Sequence, residues 1–185
     1  MKTRDLILVS LFAALTAIGA FIRIDIPFVP FTMQFFFCGL SALILGARLG
    51  AISQLVYVAV GLMGIPIFTK GGGPGYIFQP TFGYLVGFII AAYVMGKSVE
   101  KVKRPSFIKN LLAIAYGLAV VYLLGVLHLY FIYNFYLQQP KTVSWALMYG
   151  CIIFIGGDLL SGVIAALISV RLVPTLRRMG VLPQS

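Results

Sequence analysis

The sequence predicts an all-α integral membrane protein with six transmembrane helices, a glycine-rich outer loop between the third and fourth, and both termini cytoplasmic. Three observations carry that expectation. Of the 185 residues, 61% are hydrophobic and only 10% are charged, too little polar surface to cover a water-soluble globule. Apolar runs able to cross a hydrocarbon core of about 30 Å, allowing for tilt and glycine-rich ends, can be drawn six times, near 6–22, 34–47, 50–64, 81–96, 109–128 and 157–173. With the N-terminus inside, Lys2, Arg4, Arg48, Lys97, Lys101, Lys103, Arg104, Lys109, Arg171, Arg177 and Arg178 fall on the cytoplasmic side and only Arg23, Lys70 and Lys141 outside, which is the positive-inside pattern. The formal charge of +10 is therefore mostly topology, with attraction to anionic headgroups of the lipid bilayer as a by-product, and no nucleic-acid partner is implied. No stretch outside the spans is long enough for a soluble domain, so residues 1–185 read as a single transmembrane domain.

The first run, MKTRDLILVSLFAALTAIGAFI, has the basic start of a signal peptide, but it is long and AIGAFIRID offers only a weak cleavage site. It reads as a retained first span. Within it Ser10, Ala13, Ala14, Ala17 and Ala20 recur at spacings of three and four, a stripe of small residues that permits close approach of another helix. Packing within the chain and docking of a separate membrane subunit are both compatible with it.

The second span opens on PFVPFTMQFF, where Thr32 and Gln34 interrupt the apolar pattern. The second and third runs are short and also fit one re-entrant pair. Between them Gly46-Ala47-Arg48-Leu49-Gly50 reads as a tight turn, glycines flanking a charge that prefers the interface. After the third run, PIFTKGGGPGYIFQP has too many glycines and prolines for a helix, and irregular backbone at membrane depth is tolerated only inside protein or beside a watery cavity. Either it is a flexible outer loop with an interfacial lysine, or it folds over a cavity and offers an anion the amides of Gly71, Gly72 and Gly73 with Lys70 as a point charge and Gln79 as an amide. After the fifth run, LHLYFIYNFYLQQP is an aromatic belt or a stacking surface at the outer interface. WALMYGCIIFI is either the upper half of the last span or a short outer helix over a cavity.

Four acidic residues make a full audit possible. Asp5 and Asp25 flank the first span, Glu100 lies among the cytoplasmic lysines, and only Asp158 sits in an apolar run. It precedes Arg171 by 13 residues, about 20 Å of helix, so its carboxylate lies below the outer surface, at a cost of roughly 2.5 to 3.5 kcal/mol near the centre. It needs partners. Gly156 and Gly157 before it permit close backbone approach, and if a helix begins there Asp158 caps its first turn; contact with a ligand is the other reading.

Other chemistries are poorly served. Cys38 and Cys151 sit apart in apolar sequence and suggest neither a disulfide nor a metal site, and His128, alone near aromatics, reads as packed or interfacial. Met95-Gly96-Lys97-Ser98 imitates the end of a phosphate-binding loop, but Ala91 stands where the earlier glycine is required. Without a Ser-His-Asp set or paired acids, no enzyme, cofactor or metal is expected.

With these residues in hand, the chain resembles the BioY family, the biotin-specific S components of energy-coupling factor (ECF) transporters. The similarity runs through VPFTMQ at Val29 to Gln34, the GARLG turn, the block GLMGIPIFTKGGGPGYIFQPTFGYLVGF and GGDLLSG at Gly156 to Gly162. The long block is the specific signal. The resemblance implies a six-helix fold in a prokaryotic cell membrane that binds biotin from the outside and associates with a transmembrane coupling subunit and two ATPases, which hydrolyse the ATP. It also implies that the stripe containing Ala13 and Ala17 meets the coupling subunit. Two departures stand out: Ser161 occupies a position where the family commonly has lysine, and Gln79 one where it usually has glycine.

The resemblance and the residues converge on one expected site. Asp158 accepts the ureido N–H bonds of biotin, Gln34 or Gln79 donates to the ureido carbonyl, and Tyr76, Phe78 and Tyr84 cover the ring. Thr32 adds a hydroxyl, and Lys70 with the Gly71 to Gly73 amides engages the tail carboxylate or closes the lid. The competing expectation is a self-contained facilitator or channel.

Overall fold

The computed structural model describes residues 2–100 and 105–182. Of the basic cluster before the fifth predicted span, Lys101, Lys103 and Arg104 lie outside the described residues. Among the described residues, five helices are long and apolar enough to cross a membrane: Thr3–Phe21, Gln34–Leu62, Phe82–Glu100, Phe107–Tyr136 and Val143–Arg178.

Helix α1 (Thr3–Phe21) starts where the Asp5 carboxylate accepts a 3.0 Å bond from the Lys2 amide, an acid placed where the helix dipole favours one. It ends at a two-stranded ribbon, β1 (Arg23–Ile24) against β2 (Phe31–Thr32), antiparallel, with Arg23 opposite Thr32. This ribbon is the one strand pair among the described residues and a small departure from the predicted all-α architecture.

Helix α2 (Gln34–Leu62) is two arms, because Gly46 interrupts it at φ 81° and ψ −175°, a conformation that excludes a side chain. The arms fold back on each other. Gln34 and Tyr57, 23 positions apart, share a 2.8 Å hydrogen bond, whereas a straight helix would hold them about 35 Å apart at 1.5 Å per residue. A Cβ on Gly50 would lie 3.0 Å from Cα of Ala42, so the arms touch backbone to backbone near the bend. The predicted Gly46–Gly50 turn is thus a reversal at Gly46 alone; helical structure resumes at Ala47 and carries Arg48.

The segment after α2 is an ordered cap. Phe68 and Gly71 exchange backbone bonds of 2.9 and 3.2 Å around a tight turn, and Gly73 N–H donates to Gly61 O at 2.7 Å. The Phe68 ring lies on Gly61 so closely that any Cβ there would fall inside it. A 3-10 turn at Pro74–Phe78 then leads into α3 (Phe82–Glu100).

Helix α4 (Phe107–Phe131) continues through a π turn at Ile132–Tyr136. The short α5 (Val143–Leu147) joins α6 (Ile153–Arg178) through a second π turn at Met148–Ile152. Of the two readings of Trp145 to Ile155, the upper half of the last helical run is the one observed. The reading of Asp158 as a first-turn cap is corrected by the same fact: helix begins at Ile153 and is continuous with the turn before it. Part of the aromatic belt turns inward, where Phe28 meets Trp145, Tyr149 and Tyr133 edge-on at 4.8, 5.0 and 6.0 Å.

The start of α1, the α2 bend and the ends of α3 and α6 lie at one end of the bundle, where Arg4 donates to Gly180 O at 2.8 Å and Arg4, Gly46, Glu100 and Arg177 border a shared cleft. Between the two ends, helices pack closely at glycines. Ile114, fully buried, is wedged between Gly39 and Gly162, and Met95 fills the space over Gly117.

Candidate functional site

Towards the opposite end, the helices diverge around an open cleft whose empty space, the solvent at its mouth included, is about 560 Å³. Its walls come from four places. The β2 strand and the start of α2 give Phe31, Thr32, Gln34 and Phe35; the cap gives Thr69 and Tyr76; α3 and its approach give Thr81, Tyr84, Leu85 and Phe88; α4 and α6 give Val121, Tyr122, Phe154 and Asp158, with Val29 and Pro30 completing the rim.

Asp158 is the one carboxylate in this lining, and no lysine, arginine or histidine shares it. Tyr122 donates to Asp158 Oδ2 at 2.6 Å. That is the one hydrogen bond to the Asp158 side chain among the described residues, so Oδ1 keeps its acceptor capacity. Gly157 allows the approach of Phe31, whose ring would collide with any Cβ there at 2.6 Å. Ser161 does not reach the carboxylate; its hydroxyl donates to the Asp158 backbone carbonyl at 2.9 Å.

The polar groups on the facing wall are tied together. Gln34 Nε2 donates to Tyr57 Oη at 2.8 Å, and Tyr57 in turn donates to Ile67 O in the cap at 3.1 Å. Thr32 Oγ1 donates to Gln34 Oε1 at 3.0 Å. Tyr76 Oη lies between the hydroxyls of Thr69 and Thr81 at 2.9 and 3.0 Å, and Tyr84 Oη donates to Gly150 O at 2.7 Å. Tyr76 and Tyr84 are thus held by their hydroxyls while both line the cavity.

Of the residues singled out from sequence, Asp158, Gln34, Thr32, Tyr76 and Tyr84 line the cavity together. Lys70, Gly71, Gly72, Gly73, Phe78 and Gln79 do not. Lys70 is exposed at the tip of the turn, Phe78 stacks on Tyr136 at 4.7 Å, and the Gln79 carbonyl accepts a 3.2 Å bond from His128 Nε2. On α1 the five small residues do not share a single free face: Ala13 and Ala20 are buried within the chain, Ala17 is partly buried, and Ser10 and Ala14 are exposed. Sequence reasoning missed Tyr122, Thr69 and Thr81. Thr69 and Thr81 had a signal, Thr69 lying inside the noted loop and Thr81 directly after it, both polar residues among apolar ones. Tyr122 had only its hydroxyl inside an otherwise aliphatic run.

The profile of the BioY family matches residues 1–178. The chain belongs to the BioY family. Within it, the chain is 42% identical over 176 residues to a probable biotin transporter BioY of Lysinibacillus sphaericus, an alignment that covers 95% of this chain and 90% of that one. It is 41% identical over 170 residues to the biotin transporter BioY of Thermotoga maritima, with 91% and 95% covered. In fold it is similar to a 2.1 Å crystal structure of the S-component for biotin from an ECF-type ABC transporter, at a TM-score of 0.80 and 24% identity over 93% of this chain and 94% of that one. Of the stretches that made the BioY resemblance, Val29 to Gln34, the Gly61 to Phe88 block and Gly156 to Gly162 contribute residues to the cavity lining, whereas the Gly46 to Gly50 turn lies at the other end of the bundle.

Proposed function

We propose that this chain is the biotin-capturing S component of an ECF-type vitamin uptake transporter in a prokaryotic plasma membrane. The observation that carries the reading is an aromatic-walled cavity with a single anchored carboxylate, in a chain of the BioY family. Biotin has a neutral ureido head with two N–H donors and one carbonyl, an apolar thioether ring and an aliphatic tail ending in a carboxylate. Asp158 Oδ1 accepts the ureido N–H groups, Gln34 serves the ureido carbonyl, and Tyr76 and Tyr84 cover the rings. The tail carboxylate stays at the mouth, on the side of Lys70 and the Gly71 to Gly73 turn, because an anion beside Asp158 would be repelled. Hydrogen bonds to a charged group contribute about 1.5 to 3 kcal/mol each, and a pre-ordered cap keeps the ordering cost low, so affinity is high.

In this reading the two arms of α2 count as separate spans, the chain crosses the bilayer six times, both termini are cytoplasmic and the glycine-rich cap faces outward. ATP is hydrolysed by two partner ATPases, and a transmembrane coupling subunit meets α1 through the face bearing Ser10 and Ala14, with Ala13, Ala17 and Ala20 setting how closely α1 packs behind it. Calorimetry of the purified chain in detergent tests the proposal, with thiamine and riboflavin as controls. Saturable one-to-one binding of biotin alone is expected; a folded sample that binds none would overturn it, and biotin flux through this chain alone in liposomes would point instead to a facilitator.

A further inference from the structure

The cavity lining contains an anion and no cation, yet a cation stands at its rim that sequence reasoning left out. Arg23 is the antiparallel partner of Thr32, and residues directly opposite on paired strands project to the same face of the ribbon. Thr32 lines the cavity, so Arg23 rises beside it at the mouth. From the other side, an Nη of Arg23 donates to the carbonyl of Thr69, a second lining residue. Two independent elements, the ribbon and the cap, thereby fix the guanidinium between them. Nε pairs with Asp25 at 3.2 Å, and Asp25 is 77% exposed and holds the guanidinium from the solvent side. The second Nη has no partner among the described residues. An arginine fork with one free edge, held in place, suits a carboxylate better than a mobile ammonium does. Lys70 is exposed at the tip of the turn and has no hydrogen bond or ion pair among the described residues.

We propose that Arg23, rather than Lys70, is the cation that recognises the carboxylate end of the ligand, which makes the site selective for molecules with an N–H donor head and an anionic tail. The inference rests on the biotin reading above. It is tested by measuring the affinity of biotin and of biotin methyl ester, whose tail is neutral, for the wild-type chain and for Arg23→Gln, Arg23→Lys and Lys70→Gln. The wild type is expected to prefer the acid by about tenfold or more. Arg23→Gln should bring that preference below about threefold by weakening acid binding alone, Arg23→Lys should keep part of it, and Lys70→Gln should leave it intact. Equal weakening of acid and ester in Arg23→Gln would reduce Arg23 to a structural tie between ribbon and cap and overturn the assignment. So would loss of the preference in Lys70→Gln, or a wild type that binds both forms equally well. A wild type that binds neither form fails the biotin reading itself, a result distinguishable from all of these.

Discussion

Tyr122 on α4 and Asp158 on α6 are joined by a 2.6 Å hydrogen bond from the phenol to Oδ2. A carboxylate in the apolar part of the bundle is thereby held in one rotamer, with its other oxygen available. Replacing Asp158 with Asn exchanges that acceptor for a donor and removes the charge. Biotin affinity is expected to fall by about one to two decades, the equivalent of one or two charge-assisted bonds. Unchanged affinity in calorimetry would remove Asp158 from the site.

Tyr122→Phe keeps the ring and deletes the donor. Leaving a half-buried carboxylate short of one partner costs about 1 to 3 kcal/mol, so both the melting temperature and biotin affinity should drop. A variant that melts lower yet binds as tightly as wild type would show that Asp158 does not need Tyr122 for its orientation.

The cap rests on Gly61, because the Phe68 ring occupies the place of a side chain there. Gly61→Ala must displace that ring, and overpacking of this kind typically costs about 1 to 3 kcal/mol. Gly156, with nothing near its missing Cβ, is the control. The expected result is a lower melting temperature and faster proteolysis at residues 65–81 for Gly61→Ala only; equal behaviour of the two variants would contradict a packed cap.

Gln54 is fully buried, its Nε2 is within 3.2 to 3.3 Å of the hydroxyls of Thr16, Ser41 and Ser53, and its Oε1 has no partner among the described residues. Each of those hydroxyls already donates to a carbonyl of its own helix. Removing Gln54 therefore strands no donor. Gln54→Met is expected to leave the melting temperature unchanged or raise it, since a buried orphan acceptor costs about 1 to 3 kcal/mol. A clear loss of stability would mean that the amide holds α1 to α2.

On α1, Ala13 is 7% exposed whereas Ala14 faces outward. Ala13→Trp should disrupt the chain's own fold, so Ala14→Trp is the informative variant: it should keep biotin binding and lose co-purification with the coupling subunit. If Ala14→Trp assembled and supported uptake as wild type does, this face of α1 would not be the docking surface.

Hydropathy located the long helices well, because burial in lipid demands unbroken apolar runs. It placed the α2 reversal within a few residues, since Gly46 is marked by its neighbours, but it could not tell whether Arg48 belonged to turn or helix. The last helix was read as starting at 157, as Gly156-Gly157 resembles a break; in the structure, helical backbone passes through both. In the site, Asp158 was legible as a lone buried acid and Gln34 and Thr32 as polar interruptions. Tyr122 was not, because one tyrosine among aliphatic residues looks the same whether it packs or pairs. Arg23 looked like an ordinary outer charge until strand pairing set it opposite Thr32.

The Ile114 wedge between Gly39 and Gly162 has an electrical consequence. Phe35, Leu85, Phe88 and Val121 line the cavity, Cys38 Sγ lies 3.4 Å from the Phe88 carbonyl, and Cys38, Met95 and Ile114 form an apolar layer at 0% exposure. Apolar side chains buried in this layer oppose the entry of water and, more steeply, of a proton or sodium ion. Liposomes studded with this chain alone should therefore hold a pH difference as long as empty ones, and a cell could carry idle copies in excess of their partners without draining its membrane voltage.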